Sequence, residues 1–347
     1  MLNKHCEFLK GNKYKWIIFQ ENKIDNPDLQ IYYQGFCLEL YRVGSYNRVY
    51  NIVGKYYFIT DSIVKIKKMI QFDDFLPIIN INNLVCRINR NKKDFTEIMF
   101  ENKIHEEFYL ETKLTPKIFF NFYNQERKLQ CCVMEKKPSL VSYLNQINLP
   151  YIKKIMYEIQ NNNNNFIILE IYKNKIKDNF IKLFLKIINI INDLEQKYSF
   201  RHGDLKIQNI LCDNTISKIE DLKFYLIDFG FTGLKLGEKK LETKIFSQNI
   251  GRNRTFDDIS FFLLSSLIGN TLKFSFYQFY EDILIDLVYE LYDIDDINVN
   301  DIEFKEWNYY ANDKKLAINS EEIFAHKIKF ALRENYYEIL KSKIKNS

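Results

Sequence analysis

Two short segments in the second half of the chain carry side chains suited to holding a metal ion and a highly charged group. Residues 201–211 read R-H-G-D-L-K-I-Q-N-I-L and contain Asp204, Lys206 and Asn209. A second run, F-Y-L-I-D-F-G, ends an apolar strand-like stretch with Asp228 and a glycine that permits a sharp turn. Carboxylate and amide oxygens are the ligands that Mg²⁺ prefers in proteins. Together the two segments predict a magnesium site.

Phosphoryl transfer makes demands that these side chains match. Its transition state is heavily charged, so catalysis depends mostly on positioning and charge neutralisation. One carboxylate orients the attacking hydroxyl, and an amide with a second carboxylate holds Mg²⁺. Asp204, Asn209 and Asp228 supply that set, and Lys206 can neutralise charge on the moving group. The residue types therefore indicate a phosphotransferase.

The same segments resemble two motifs of the protein kinase superfamily. H-G-D-L-K-x-x-N-I-L is similar to its catalytic loop, H-R-D-L-K-x-x-N, and I-D-F-G to its metal-binding D-F-G. The resemblance implies that Asp204 is the catalytic base, that Lys206 contacts the γ-phosphate of ATP, and that Asn209 and Asp228 bind Mg²⁺. It covers roughly residues 36–270 and extends to the divergent kinases of large DNA viruses.

Weaker matches place the nucleotide-binding residues in the first half. Gly44 lies between two strand-like runs and resembles the glycine-rich loop, with one glycine where the family has three. By that resemblance Val49 packs on the adenine. The strand ending at Glu135 is similar to the one that enters the interlobe hinge, whose backbone bonds the adenine edge. Asp258 resembles a residue at the start of the family's buried central helix that braces the catalytic loop.

Two assignments in the first half have rivals. In the family a strand lysine pairs with a helix glutamate and contacts the ATP phosphates. We favour Arg87 in the lysine's place, although the arginine guanidinium is a planar group with donors in fixed directions and the lysine ammonium is a compact charge. Lys65 is the alternative. For the glutamate we prefer Glu101, which shares a helix face with apolar residues, over Glu106.

Two departures from the family affect regulation and substrate. Gly203 replaces the arginine that precedes the catalytic aspartate and that reads a phosphate on the activation loop. We therefore predict activity without phosphorylation between Thr232 and Thr255. Only about 28 residues separate Asp228 from the central helix, and no A-P-E motif is present, so the peptide-docking platform is short.

Three functions fit these patterns. The leading interpretation is a protein Ser/Thr kinase, because Lys206 follows the catalytic aspartate and Gly230 completes D-F-G. The second is a small-molecule kinase that resembles aminoglycoside or choline phosphotransferases, which also use H-G-D. The third is a pseudokinase scaffold, for which the substitution of Arg87 for lysine is the support.

Periodicity predicts an α+β fold with two lobes. The first, residues 1–135, is a nucleotide-binding lobe with an N-terminal extension and a β-insert, and the second, residues 136–347, is helical and carries the catalytic loop. Alternating apolar positions predict strands, and an apolar stripe of helical period predicts helices. The strands are expected at 35–43, 56–60, 84–88, 117–122 and 129–134, and the helices at 94–113, 180–198, 257–268, 276–292 and 320–343, with a loop tip at 161–165.

Composition excludes several classes of protein. The formal charge of +5 is small and scattered, which argues against a nucleic-acid partner. None of the six cysteines forms a C-x-x-C pair, so we expect buried free thiols rather than zinc. The first residues lack the apolar core of a signal peptide, and no apolar run is long enough to span a bilayer. We therefore expect no membrane partner and an intracellular location, in the cytoplasm or a virion, with the oligomeric state left open.

Overall fold

A computed structural model of the chain shows a mixed α+β protein. The residues that it describes are 4–10, 15–25, 31–43, 47–59, 68–71, 81–89, 95–124, 129–161, 166–213, 218–244, 258–259, 262, 292–293, 331–332 and 335–345.

The chain forms two compact units. The first comprises Met1–Lys137 together with Tyr225–Gly230, and the second comprises Pro138–Phe224 and Phe231–Ser347. The boundary after Lys137 lies two residues beyond the one placed at 135 from the sequence. The sequence division had left the D-F-G segment in the second half, whereas here it belongs to the first unit.

One sheet dominates the described part of the first unit. Its strands follow the order β3-β2-β1-β7-β8-β6-β4-β5, and β3 also pairs with β4. The run β3-β4-β6-β8-β7 is antiparallel throughout, whereas β1 and β7 are parallel. The strands are β1 Lys4–Lys10, β2 Lys15–Asp25, β3 Ile31–Val43, β4 Asn47–Ile59, β5 Lys68–Gln71, β6 Leu84–Asn89, β7 Ile118–Asn124 and β8 Leu129–Glu135.

Strand β6 is buried along its whole length, because both faces of the sheet are covered there. Its even-numbered residues, Leu84, Cys86 and Ile88, join an apolar core on one face. The odd-numbered residues point to the other face, since successive side chains of a strand alternate. There they meet helix α1, Phe95–Thr112, which places Ile104 and Phe108 in the core.

The described part of the second unit is mainly helical. Helix α2 spans Leu140–Gln160 and α3 spans Phe166–Tyr198. The predicted apolar stripe on α3 is confirmed, since all of its members are buried: Leu183, Phe184, Ile187, Ile188, Ile191 and Leu194. Short elements of this unit are β9 Ile210–Cys212, β11 Gly233–Leu236, β12 Lys239–Glu242, β13 Tyr292–Asp293, β14 Ala331–Leu332 and helix α4 Tyr336–Lys345. Strand β10, Phe224–Leu226, has its last two residues in the first unit.

The five predicted strands and the helix at 94–113 match described elements, but several bounds differ. Strand β4 begins at Asn47, nine residues before the predicted run, and α3 begins at Phe166 rather than at residue 180. Helix α2 and strands β1 and β2 were not predicted. The helix at 276–292 falls almost wholly outside the described residues, as does most of the predicted helix at 320–343. No helix in the described part of the chain is long and apolar enough to cross a membrane.

Candidate active site

Residues of the H-G-D loop, 201–211, in the second unit cluster around one carboxylate. Lys206 Nζ donates to Asp204 Oδ2 at 2.7 Å, and Asn209 Nδ2 donates to the same oxygen at 3.2 Å. The Asn209 amide also donates to the Asp204 carbonyl oxygen at 2.9 Å. Its amide oxygen, the atom that Mg²⁺ would take, has no partner among the described residues. Asp204 and Asn209 are buried, which holds both polar groups in one arrangement.

Asp258 clamps the backbone of this loop. Its two carboxylate oxygens accept hydrogen bonds from backbone N–H groups: Oδ2 from His202 at 2.6 Å and Oδ1 from Gly203 at 2.8 Å. Hydrogen bonds from backbone N–H groups to a carboxylate are among the stronger ones in proteins. Burial nevertheless raises the pKa of the Asp258 carboxyl, against the opposing pull of His202 and the two N–H groups. The contact is the bracing that the resemblance implies for Asp258.

Gly203 has a conformation that an L-residue side chain would not tolerate. Its φ is +75°, and a Cβ at this position would lie 2.4 Å from the carbonyl oxygen of Phe231. Two heavy atoms that are not bonded cannot approach so closely, so Phe231 would have to move. An arginine therefore cannot occupy this position in the present backbone.

The segment after D-F-G is bonded directly to the H-G-D loop. The backbones of Arg201 and Gly233 exchange two hydrogen bonds, at 2.8 and 2.9 Å, and Thr232 Oγ1 donates to the His202 carbonyl oxygen at 3.0 Å. Strands β11 and β12 then form a hairpin in which Leu234 and Leu241 are opposite and buried. These bonds attach residues 232–244, the part of 232–255 that the structure describes, to residues 201 and 202.

In the first unit, Arg87 and Glu101 form a buried ion pair. Arg87 Nη1 lies 3.0 Å from Glu101 Oε1, with both side chains at most a tenth exposed. Arg87 Nη2 donates to the side-chain oxygen of Asn102, the next residue of α1. Burial acts to lower the pKa of Arg87, but the neighbouring negative charges, Glu101 above all, raise it above its ordinary value, so the guanidinium stays charged.

The rival assignments have different outcomes. Glu106, the alternative glutamate, accepts a hydrogen bond from Asn121 instead of meeting Arg87. Burial raises the pKa of its carboxyl. Of the two glutamates, Glu101 is therefore the one that pairs with Arg87. Lys65 lies outside the described residues, and so does Gly44.

The D-F-G segment also belongs to the first unit. Asp228 has a φ of +70°, a left-handed conformation that is costly for a residue with a side chain. Such strain is found at functional sites more often than elsewhere. The Phe229 ring packs on helix α1, 5.4 Å from the His105 ring and 5.5 Å from the Phe108 ring. The strand before it is fixed by the Leu226 N–H, which donates to the Leu114 carbonyl oxygen at 2.7 Å.

The face of the sheet that carries Arg87 changes from apolar to polar along its strands. Val49 is directly opposite Arg87 on β4 and packs against a buried apolar cluster made up of Val85, Ile118, Cys132 and Met134. Beyond Arg87, the same face ends in buried amides, Asn89 and Gln130. On this face Arg87 therefore lies between an apolar cluster and a pair of buried amides.

The predicted hinge strand offers fewer free backbone groups than the sequence suggests. The Glu135 N–H donates to the Lys117 carbonyl oxygen at 2.9 Å, and the Lys136 N–H donates to Asn83 at 2.7 Å. The Glu135 carboxylate pairs with Lys137 Nζ at 2.6 Å. Among the described residues, the Lys137 N–H has no recorded partner, so it is the donor in this stretch that could bond a ligand.

Sequence reasoning missed two residues near Arg87. Asn102 is wholly buried but follows Glu101 directly, a spacing that gives no periodic signal. His105 is also buried, with Nε2 at 2.7 Å from both the Pro116 carbonyl oxygen and Thr115 Oγ1. Burial, and then the charge of Arg87, lower its pKa to about 4, so it is neutral at physiological pH.

Five cysteines are buried thiols, as the sequence predicted: Cys37, Cys86, Cys131, Cys132 and Cys212. Burial raises the pKa of Cys132, the neighbour of Arg87 on β8, to about 12, so its thiol stays protonated.

No protein-family model matches the sequence, and no curated protein matches it significantly.

Proposed function

We propose that this chain is an ATP- and Mg²⁺-dependent phosphotransferase with a bilobal, protein-kinase-like fold, and that it transfers the γ-phosphate to Ser or Thr hydroxyls of a protein. The observation that carries the proposal is the cluster on the catalytic loop. One buried carboxylate, Asp204, is held by an amine and an amide from the same loop, and the backbone on its N-terminal side is clamped by Asp258.

Each loop residue has a role in this proposal. Asp204 accepts the proton of the attacking hydroxyl and fixes its direction, because a positioned carboxylate is what transfer to a hydroxyl requires. Lys206, bonded to Asp204 at 2.7 Å, neutralises charge on the transferred group. Asn209, through its amide oxygen, and Asp228 would hold Mg²⁺, which supplies charge neutralisation on the phosphates.

The residues of the first unit would bind the nucleotide. Arg87, held by Glu101, supplies a fixed positive charge for the α- and β-phosphates. Val49 and the apolar cluster beside it suit one face of the adenine. The backbone near Glu135 would bond the adenine edge, through the Lys137 N–H rather than the two N–H groups already used. The proposal that the loop at Gly44 covers the phosphates is supported by the sequence alone.

A small-molecule acceptor is the second candidate, and Gly203 favours it. Its backbone is left-handed and lies close to Phe231, so this loop requires glycine at the position. The loop therefore fits H-G-D and could not accommodate H-R-D without a change of backbone. The pseudokinase alternative rested on Arg87 in place of lysine. Because Arg87 forms the ion pair with Glu101, that substitution is not a reason to expect a protein without activity.

A panel of acceptors tests these functions. The purified chain is incubated with labelled ATP and Mg²⁺ and with casein, with the chain alone, or with amino-alcohols and sugars. Label on casein or on the chain at Ser or Thr supports the proposal, whereas label only on small alcohols supports the second candidate. The unfolding temperature with and without MgATP is measured in parallel, since a ligand that binds the native state raises it. No shift and no transfer would contradict both.

A further inference from the structure

The Arg87 guanidinium is hydrogen-bonded at both of its terminal nitrogens. Its Nη1 lies 3.0 Å from Glu101 Oε1, and its Nη2 donates to Asn102 Oδ1. The two partners are consecutive residues of helix α1. All three side chains are buried, with exposed fractions of 9%, 3% and 0% in the order Arg87, Glu101, Asn102. Water therefore does not compete for these bonds.

Two anchors have a specific effect on a guanidinium. Its donors lie in one plane, so a single bond leaves the group free to turn about that bond, whereas bonds at both terminal nitrogens fix the plane. A lysine ammonium is a point charge with rotating donors and needs no such restraint. The replacement of the family's lysine by Arg87 therefore creates a need for a second partner.

Asn102 is a costly residue to place where it lies. An amide that is completely removed from water lowers stability unless it is bonded, and an apolar side chain of similar size would fill the position at less cost. The amide oxygen of Asn102 is used by Arg87. The amide nitrogen of Asn102 has no hydrogen-bond partner among the described residues.

We propose that Asn102 is a positioning residue that, together with Glu101, fixes the plane of the Arg87 guanidinium toward the phosphates of ATP. The inference rests on the proposed function. It explains why this chain can use arginine at the position, and it makes the nucleotide affinity of the chain depend on an amide that does not touch the nucleotide.

The test compares removal of the acceptor with its retention. Asn102→Leu and Asn102→Ala both remove the oxygen. The alanine variant, which is smaller, is used if the leucine variant does not fold. Asn102→Asp keeps an acceptor at the same place. Dissociation constants for MgATP are measured by calorimetry on the full chain, with KM and kcat for phosphate transfer alongside.

Removal of the acceptor is expected to weaken MgATP binding about tenfold, since a bond to a charged group is lost. KM should rise by the same factor with kcat nearly unchanged, because Arg87 holds phosphates that do not move during transfer. Asn102→Asp should stay within about threefold of the parent chain. Glu106→Gln, which changes a side chain of the same helix that bonds Asn121 and not Arg87, should bind MgATP as the parent does.

A double-mutant cycle separates positioning from general packing. Arg87→Lys cannot span both anchors, so Asn102→Leu should weaken MgATP binding no further in that background. Additive losses would overturn the inference, and so would a folded Asn102→Leu or Asn102→Ala chain with the parent's affinity. If the parent chain itself binds no MgATP, the proposed function fails and this inference fails with it.

Discussion

Replacing Gly203 with alanine should destabilise the H-G-D loop for two separable reasons. A residue with a Cβ pays about 1–2 kcal/mol for the left-handed backbone that Gly203 adopts. The new Cβ would also lie 2.4 Å from the Phe231 carbonyl oxygen, so the backbone must shift there. Phe231 precedes Thr232, whose bond to the His202 carbonyl oxygen would be strained or lost, at about 1–3 kcal/mol. The expected total is about 3 kcal/mol.

Gly237 provides a matched control in the same unit. Its φ is +59°, yet a Cβ there would meet nothing within 4 Å. Gly237→Ala should therefore cost only the backbone contribution, about 1–2 kcal/mol. Urea denaturation of both variants gives the free energies of unfolding, provided that the dependence on denaturant is unchanged. Activity should fall in Gly203→Ala, because Asp204 is the next residue, and should persist in Gly237→Ala.

The same reasoning applies to Gly203→Arg, which changes the H-G-D motif to the H-R-D motif found in protein kinases. It should lose stability and activity at least as much as Gly203→Ala. Free energies of unfolding for Gly203→Ala and Gly237→Ala that agree within about 0.5 kcal/mol would refute the argument from close contact. A Gly203→Arg chain with increased activity would refute it as well.

Three further predictions follow from the other contacts. Asp258→Asn should lower the free energy of unfolding by about 2–4 kcal/mol and reduce turnover, because its NH₂ group, a donor, would face one of the two loop N–H donors; denaturation and kinetics check this. Glu101→Gln should weaken MgATP binding by calorimetry, while Glu106→Gln, which removes a carboxylate that does not meet Arg87, should not. The native pKa of His105 is about 4 against 6.5 when unfolded, so the unfolded chain gains the proton first as pH falls. Stability is then complete above pH 6.5 and falls by up to about 3 kcal/mol toward pH 4, a loss that His105→Gln should reduce.

Elements with a clean periodic pattern could be predicted from the sequence. Helix α1 was expected from apolar residues on one face, and the structure buries Ile104 and Phe108 on that face beside Glu101. Strand β6 was expected from an apolar run, and that prediction placed Arg87 correctly on a strand. Local patterns sufficed here because each side chain's direction follows from its element.

Other features depend on contacts that no local pattern records. Helix α2 was missed because Asn148 and Pro150 interrupt its apolar stripe, and the buried Asn148 amide is bonded to Asn179, 31 residues away. The sequence shows a glycine at 203 but not the approach of Phe231 that requires it. Asn102 could not be recognised either, because its significance comes from the hydrogen bond that it accepts from Arg87 on strand β6, a contact that the sequence does not show.

Phosphate transfer by the Asp204→Asn chain tests the central claim most directly. The amide keeps the size of the side chain and one oxygen but cannot take the proton of the attacking hydroxyl. Labelled phosphate should pass from MgATP to an acceptor with the parent chain and not with Asp204→Asn, while both bind MgATP with similar affinity. An Asp204→Asn chain that transfers phosphate at the parent's rate would contradict the account.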